Sequence, residues 1–196
     1  MDMFPSVMEW LRIPIDPAWD IDGKSRLQYD LPDSQKCDLS QTKPSILLTG
    51  AYAYSAHDAE NINDESQLAV DQCLSRATDS GRFHYDIWSP CAVSGGSAST
   101  SVAPGLCSDD QTCSADQVDF SKQNGYTSSE PQLIGLARDG HLLYGPQGFD
   151  GVSVDECNGY TQDGNYVYAS RSEAPYTITC WGAPASGCGV EWDYIF

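Results

Sequence analysis

The stretch GRFHYDIWSPC, Gly81 to Cys91, sets His84 and Asp86 two residues apart between aromatic rings, just ahead of a cysteine. Alternate residues of a strand project to one side, so this imidazole and carboxylate can reach a common metal ion. A zinc or copper centre needs three or four ligands with an outer layer of hydrogen bonds, and His84 with Asp86 supplies only part of that set. The simpler reading is a histidine hydrogen-bonded to a neighbour in a packed strand. A second candidate is a hard-cation site for calcium at Asp150, Asp155 and Glu156, in the acidic loop GFDGVSVDE. Carboxylates with loop carbonyls suit that ion, although acids in such loops more often cap turns and helices. DIDG, Asp20 to Gly23, opens like a calcium loop but lacks the further acid and the closing glutamate. Nucleophilic catalysis has no footing. There is no G-x-S-x-G, and no serine stands in an evident relation to His57, His84 or His141. The sequence therefore leans away from an enzyme, and no catalytic residue is assigned.

The elements that must position these residues are written twice. DQCLSRATDSGRFHYDIWSPC, from Asp71, aligns with DECNGYTQDGNYVYASRSEAPYTITC, from Asp155. Each opens with an acid, one residue and a cysteine, and runs through a polar turn to Gly81 or Gly164. Each then carries an aromatic-x-Tyr pair, Phe83 with Tyr85 and Tyr166 with Tyr168, and ends in a cysteine. Upstream, PSILLTGAYAYS from Pro44 and PQLIGLARDGHLLYG from Pro131 each reach a glycine with a tyrosine four residues on, at Gly50 and Tyr54 and at Gly140 and Tyr144. Self-similarity of this kind marks repeated supersecondary units. β-Branched and aromatic enrichment with period-two alternation predicts strands. The expected fold is mainly β: two pseudo-symmetric repeats in a disulfide-stapled, sandwich-like domain with one or two short helices. The helices are expected over Asn63–Ser75, with acids in the first turn, and over Pro5–Leu11. The division is an N-terminal arm over 1–43, repeat one over 44–91, a linker over 92–130, repeat two over 131–182 and a C-terminal tail over 183–196.

Equivalent halves imply equivalent disulfides. Cys73 is expected to pair with Cys91 and Cys157 with Cys180, each closing a loop worth about 3 kcal/mol in the chain-entropy picture. Cys107 and Cys113 flank SDDQT and make a small local loop, which leaves Cys37 and Cys188 to tie the arm to the tail. Eight cysteines with no C-x-x-C spacing speak for an oxidising, extracellular compartment. The start MDMFPSVMEWLRIPIDPAWD lacks the basic and apolar regions of a signal peptide, so a leader is expected to be missing or already removed. No N-x-S/T sequon occurs. Acids outnumber bases 28 to 10, for a net charge of −18, which argues against nucleic acid and anionic lipid as partners. No apolar run reaches the length of a membrane helix.

The chain resembles the YHYH domain family, named for a Tyr-His-Tyr-His motif. The resemblance rests on LLTGAYAYSAHDAE, DQC, GRFHYDIWSPC, PQLIGLARDGHLLYGP, DECNG, GNYVY and APYTITCWG, over roughly Pro44 to Gly182. It implies a fold and an extracellular setting rather than an activity. The motif positions depart from the pattern. The first copy reads Phe83, His84, Tyr85, Asp86, and the second Tyr166, Val167, Tyr168, Ala169, so that Val167 and Ala169 stand where histidines would.

The function expected from these features is a secreted, non-catalytic structural or adhesive module acting through protein–protein contact. Its expected partner is itself, as a homo-oligomer or a filament subunit, through aromatic arms at either end. No cofactor is expected. The alternatives are binding of calcium or a transition metal, or of a glycan through tyrosine-rich faces, at a degenerate site.

Overall fold

The structure, a computed structural model, describes residues 44–54, 70–77, 81–93, 105–126, 130–146, 152–172 and 176–180. Eight short strands follow one another as β1 (Ser45–Leu47), β2 (Tyr52–Ala53), β3 (Ser75–Ala77), β4 (Phe83–Tyr85), β5 (Leu133–Ala137), β6 (Leu142–Tyr144), β7 (Gly159–Gln162) and β8 (Asn165–Ala169). Turn chemistry sets the hairpins. Asp163 and Gly164, with φ of 51° and 81°, make the two-residue link from β7 to β8, the left-handed pair that a twisted hairpin requires. Gly140, at φ 96°, turns β5 into β6.

All eight strands join one mixed sheet in the order β3-β4-β2-β1-β5-β6-β8-β7. Its centre is the antiparallel pair β1–β5. Moving outward on either side, the next pairing is antiparallel (β1–β2, β5–β6), then parallel (β2–β4, β6–β8), then antiparallel (β3–β4, β7–β8). Among the described residues the mainly β expectation holds, with three disulfides and two short α-helices. The strands are hydrogen-bonded into a single sheet because β1 and β5 meet edge to edge through their backbones.

Cross-strand partners share a face. One face presents Leu47, Ala53, Tyr85, Ala137, Leu143 and Tyr168, all buried in the main core. The other presents Ile46, Tyr52, Arg76, His84, Leu136, Leu142, Tyr160 and Val167. That face is wetter, with Leu142 39% exposed.

The helices lie in the connection between β4 and β5. A 3-10 turn over Cys107–Asp109 leads into α1 (Gln111–Ala115) and α2 (Gln117–Gly125). Asp110 accepts the Thr112 and Cys113 amides and Asp116 accepts that of Asp119, two N-caps that satisfy otherwise orphaned donors. Of the helix expected over Asn63–Ser75, residues 63–69 lie outside the described residues, and the remainder is not helical. Asp71 bridges Leu106, Leu74 has φ 60° and Ser75 opens β3. The Asp71 carboxylate takes the Ser75 amide at 2.8 Å and its hydroxyl at 2.6 Å, a local bond that competes with helix propagation. The expected helix over Pro5–Leu11, the arm over 1–43 and the tail over 183–196 lie outside the described residues.

This helical connection also fastens the two ends of the sheet together. Tyr126 is fully buried and edge-on to Trp88, with ring centroids 5.0 Å apart. Its hydroxyl donates to the Ser89 carbonyl at 2.7 Å, and its ring lies where a side chain on Gly145 would stand. Trp88 in turn donates its indole N–H to the Arg171 carbonyl at 2.8 Å. The Ser89 carbonyl also accepts the Ala92 amide, so removing the Tyr126 hydroxyl deletes one of its two bonds and costs about 1 kcal/mol. Tyr126→Phe is therefore expected to lower the melting temperature by roughly 2–4 °C, read by circular dichroism, while keeping the far-ultraviolet spectrum.

Candidate functional site

Strand β4 delivers the motif residues. Phe83 is 51% exposed, whereas His84, Tyr85 and Asp86 are buried. Across the sheet His84 stands opposite Arg76 of β3 and Tyr52 of β2. The imidazole stacks on Tyr54 at 4.1 Å between centroids. Its Nδ1 lies 3.3 Å from the Arg82 carbonyl oxygen, and its Nε2 lies 3.3 Å from Asp86 Oδ1. Arg76 approaches the same carboxylate side-on, Nε donating to Oδ2 at 2.5 Å and Nη2 to Oδ1 at 3.1 Å. This is the paired fork geometry of strong guanidinium–carboxylate contacts. Burial pushes the Asp86 carboxyl up, but hydrogen bonds from His84 and Arg76, together with the charge beside it, hold it below its ordinary range.

His84 and Asp86 therefore do come together, as their spacing predicts, and the cation at the carboxylate is Arg76. Both carboxylate oxygens have donors, and both ring nitrogens of His84 face oxygens of this chain. Among the described residues no group of three or more His, Cys, Asp or Glu is arranged to hold a metal. The cluster is closed on itself, and an ion at Asp86 would have to displace the guanidinium.

The acidic loop of the second half has a similar character. Asp150 lies outside the described residues. Asp155 Oδ1 accepts the Cys157 and Gly159 amides at 2.9 Å each, and Oδ2 accepts the Tyr166 hydroxyl at 2.9 Å. Glu156 is exposed, and its backbone carbonyl accepts the Thr179 hydroxyl. Asp71 and Asp155 are thus turn residues. Each folds the chain back onto an outer strand, where the Asp71 amide donates to the Ser75 carbonyl and the Asp155 amide to the Gly159 carbonyl. Leu74 and Asn158 sit inside these turns with φ of 60° and 61°. Disulfides close beside both turns, Cys73–Cys91 with Cα atoms 5.5 Å apart and Cys157–Cys180 at 4.7 Å. Cys107–Cys113 forms the local loop, at 5.2 Å. The expected Cys37–Cys188 pair falls outside the described residues.

Strand β8 carries the second set of motif positions. Val167 stands opposite Tyr160 of β7, and Val167, Tyr168 and Ala169 are all buried. Sequence reasoning missed a polar chain that runs beneath them. His141 Nδ1 donates to the Tyr166 carbonyl at 2.9 Å, its ring sits edge-on to Tyr166 and Tyr168, and its amide donates to Asp139 Oδ1. Tyr168 donates its hydroxyl to Asp139 Oδ2 at 2.5 Å. Burial, then the Asp155 charge and hydrogen bond, push the Tyr166 hydroxyl far above its usual range, and burial with Tyr144 and Asp163 takes Tyr160 up to about 12. These phenols stay protonated and act as donors rather than as nucleophiles. The Asp139–Gly140 turn signal was the only hint in the sequence, and it identifies a hairpin rather than a buried acid.

Comparison with known proteins finds no matching family model, curated protein or solved structure.

Buried ion pairs are costly to break and often dispensable when replaced whole. Asp86→Ala alone, which strands the partly exposed Arg76, is expected to cost about 2–3 kcal/mol. The triple change Arg76→Tyr, His84→Val and Asp86→Ala, which copies the residues found on β7 and β8, is expected to recover most of that loss in denaturant titrations. The carboxyl is held low in the folded chain, so its contribution is full above its ordinary value near pH 4 and fades as pH falls through the lower folded value. Wild type should lose this increment below pH 4, and the triple variant should not.

Proposed function

We propose that the protein is a non-catalytic, extracellular structural module that acts by protein–protein contact, with other copies of itself as partner. The observation that carries this reading is the closure of its polar clusters. Of the described carboxylates that the sequence offers for chemistry, Glu156 is exposed, and Asp86 and Asp155 have both oxygens engaged by donors of the same chain. These two aspartates hold strands in place and leave no reactive oxygen for a substrate. Six cysteines joined in three disulfides support an oxidising compartment. Among the described residues no helix is long and apolar enough to cross a membrane. The matching order of pairings outward from β1 and from β5 supports an internal duplication, and the YHYH resemblance adds the same extracellular setting. Net charge of −18 keeps such a module from nucleic acid and makes its self-association sensitive to salt.

Sedimentation velocity over a hundredfold concentration range tests the reading. The weight-average mass is expected to rise with concentration, more steeply at higher ionic strength. A constant monomer mass at every concentration and salt level would count against it.

A further inference from the structure

The central ladder has a two-fold register. β1 and β5 pair with Ser45 opposite Ala137, Ile46 opposite Leu136 and Leu47 opposite Gly135. Both strands run into the same hairpin. The Leu47 amide donates to the Ala51 carbonyl and the Gly50 amide to that of Leu47, while the Ala137 amide donates to the His141 carbonyl and the Gly140 amide to that of Ala137. Leu47 and Ala137 therefore hold equivalent places, and one residue earlier so do Ile46 and Leu136. Ile46 and Leu136 are also each other's cross-strand partner. A ladder in which equivalent residues face each other is the arrangement found in an isologous contact between identical units.

We infer that this ladder is the surface through which a second copy of the chain is joined, by exchange of halves: β1 of one chain pairs with β5 of the other, twice over. The inference rests on the self-association reading and names its surface. Three observations favour this surface. The outer strands are partly closed to pairing, because the amide and carbonyl of Ser75 and of Gly159 are engaged by Asp71 and Asp155, which blunts the edges where sheets usually extend. None of the three described disulfides crosses the ladder, since each closes within one set of strands or within the helical connection. The helical connection packs on the first set of strands, with the Cys107 amide on the Val70 carbonyl and the Ser121 hydroxyl on that of Trp88, so it travels with that half and the chain from Tyr126 to Leu133 is the link between the halves. Exchange needs no new contact. The Trp88–Arg171 and Tyr126–Ser89 bonds re-form within the rebuilt unit, as in any swap that reuses the closed interface.

Ile46 and Leu136 are both partly exposed, so they accept charge. One chain carries Ile46→Lys with Leu136→Lys, and a second carries Ile46→Glu with Leu136→Glu. Reduced chains are co-refolded in a glutathione buffer, and the dimers are sorted by native mass spectrometry. Like charges face each other in either chain alone and opposite charges face each other at both junctions of a mixed dimer, so mixed dimers should exceed random mixing by about tenfold. Dimers that mix at random overturn the junction while leaving self-association standing. Wild-type dimers provide a measurement without variants. Exchanged halves should survive dilution for hours, because release requires unfolding, whereas dimers that dissociate promptly on dilution overturn the inference. Wild-type chains that form no dimer after concentrated refolding, and no larger species at any concentration, overturn both readings.

Discussion

The backbone ladder between β1 and β5 makes one sheet out of two sets of strands. It runs from the Arg138 amide on the Pro44 carbonyl to the Leu48 amide on the Ile134 carbonyl, each at 2.8 Å. The individual strands are two to five residues long, too short to persist as isolated hairpins in water. Joined at the centre, they present a continuous buried face of Leu47, Ala53, Tyr85, Ala137, Leu143 and Tyr168. The fit is close. A side chain on Gly135 would place its Cβ 2.6 Å from the Ile46 carbonyl oxygen, so the partner strand can approach only because that position is glycine.

What the ladder does at the centre, covalent and polar contacts do at the rims. Cys73–Cys91 and Cys157–Cys180 close loops with sequence separations of 18 and 23, and each is worth about 3 kcal/mol by loop-closure entropy. Asp71 and Asp155 turn the chain back onto β3 and β7. Between rim and centre the two sides use different side chains. Around β4 the polar group is the Arg76–His84–Asp86 cluster, on the wetter face, while on β8 Val167 and Ala169 occupy the strand and the polar load moves to Asp139, His141 and the tyrosines. One backbone arrangement thus accommodates either an ionic or an apolar solution at these positions.

Much of this was legible in the chain. The Asp-x-Cys turns, the aromatic-x-Tyr strands and the glycine-marked hairpins depend on local chemistry, and local chemistry is written in short motifs. Two disulfide pairings, Cys73–Cys91 and Cys157–Cys180, followed from aligning those motifs, and Cys107–Cys113 from its short local spacing. Other features depend on what lies far away in sequence. That the strands fuse into one sheet follows from the edge-to-edge meeting of Pro44–Leu48 with Ile134–Arg138, which alternation of residue types does not encode. Arg76 became the partner of Asp86 through cross-strand register. Helix α2 buries Gln117 and Ser121 beside Val118 and Phe120, so it shows no clean apolar stripe. Val70 to Ser75 looked helical by composition, yet one carboxylate bond from Asp71 decided otherwise.

The central claim is that each set of four strands is closed by its own covalent link and joined to the other through the backbone. Disulfide mapping of the native, unreduced protein by peptide mass spectrometry tests it most directly. The account predicts linked peptides containing Cys73 with Cys91, Cys157 with Cys180 and Cys107 with Cys113. A peptide joining Cys73 or Cys91 to Cys157 or Cys180 would contradict it.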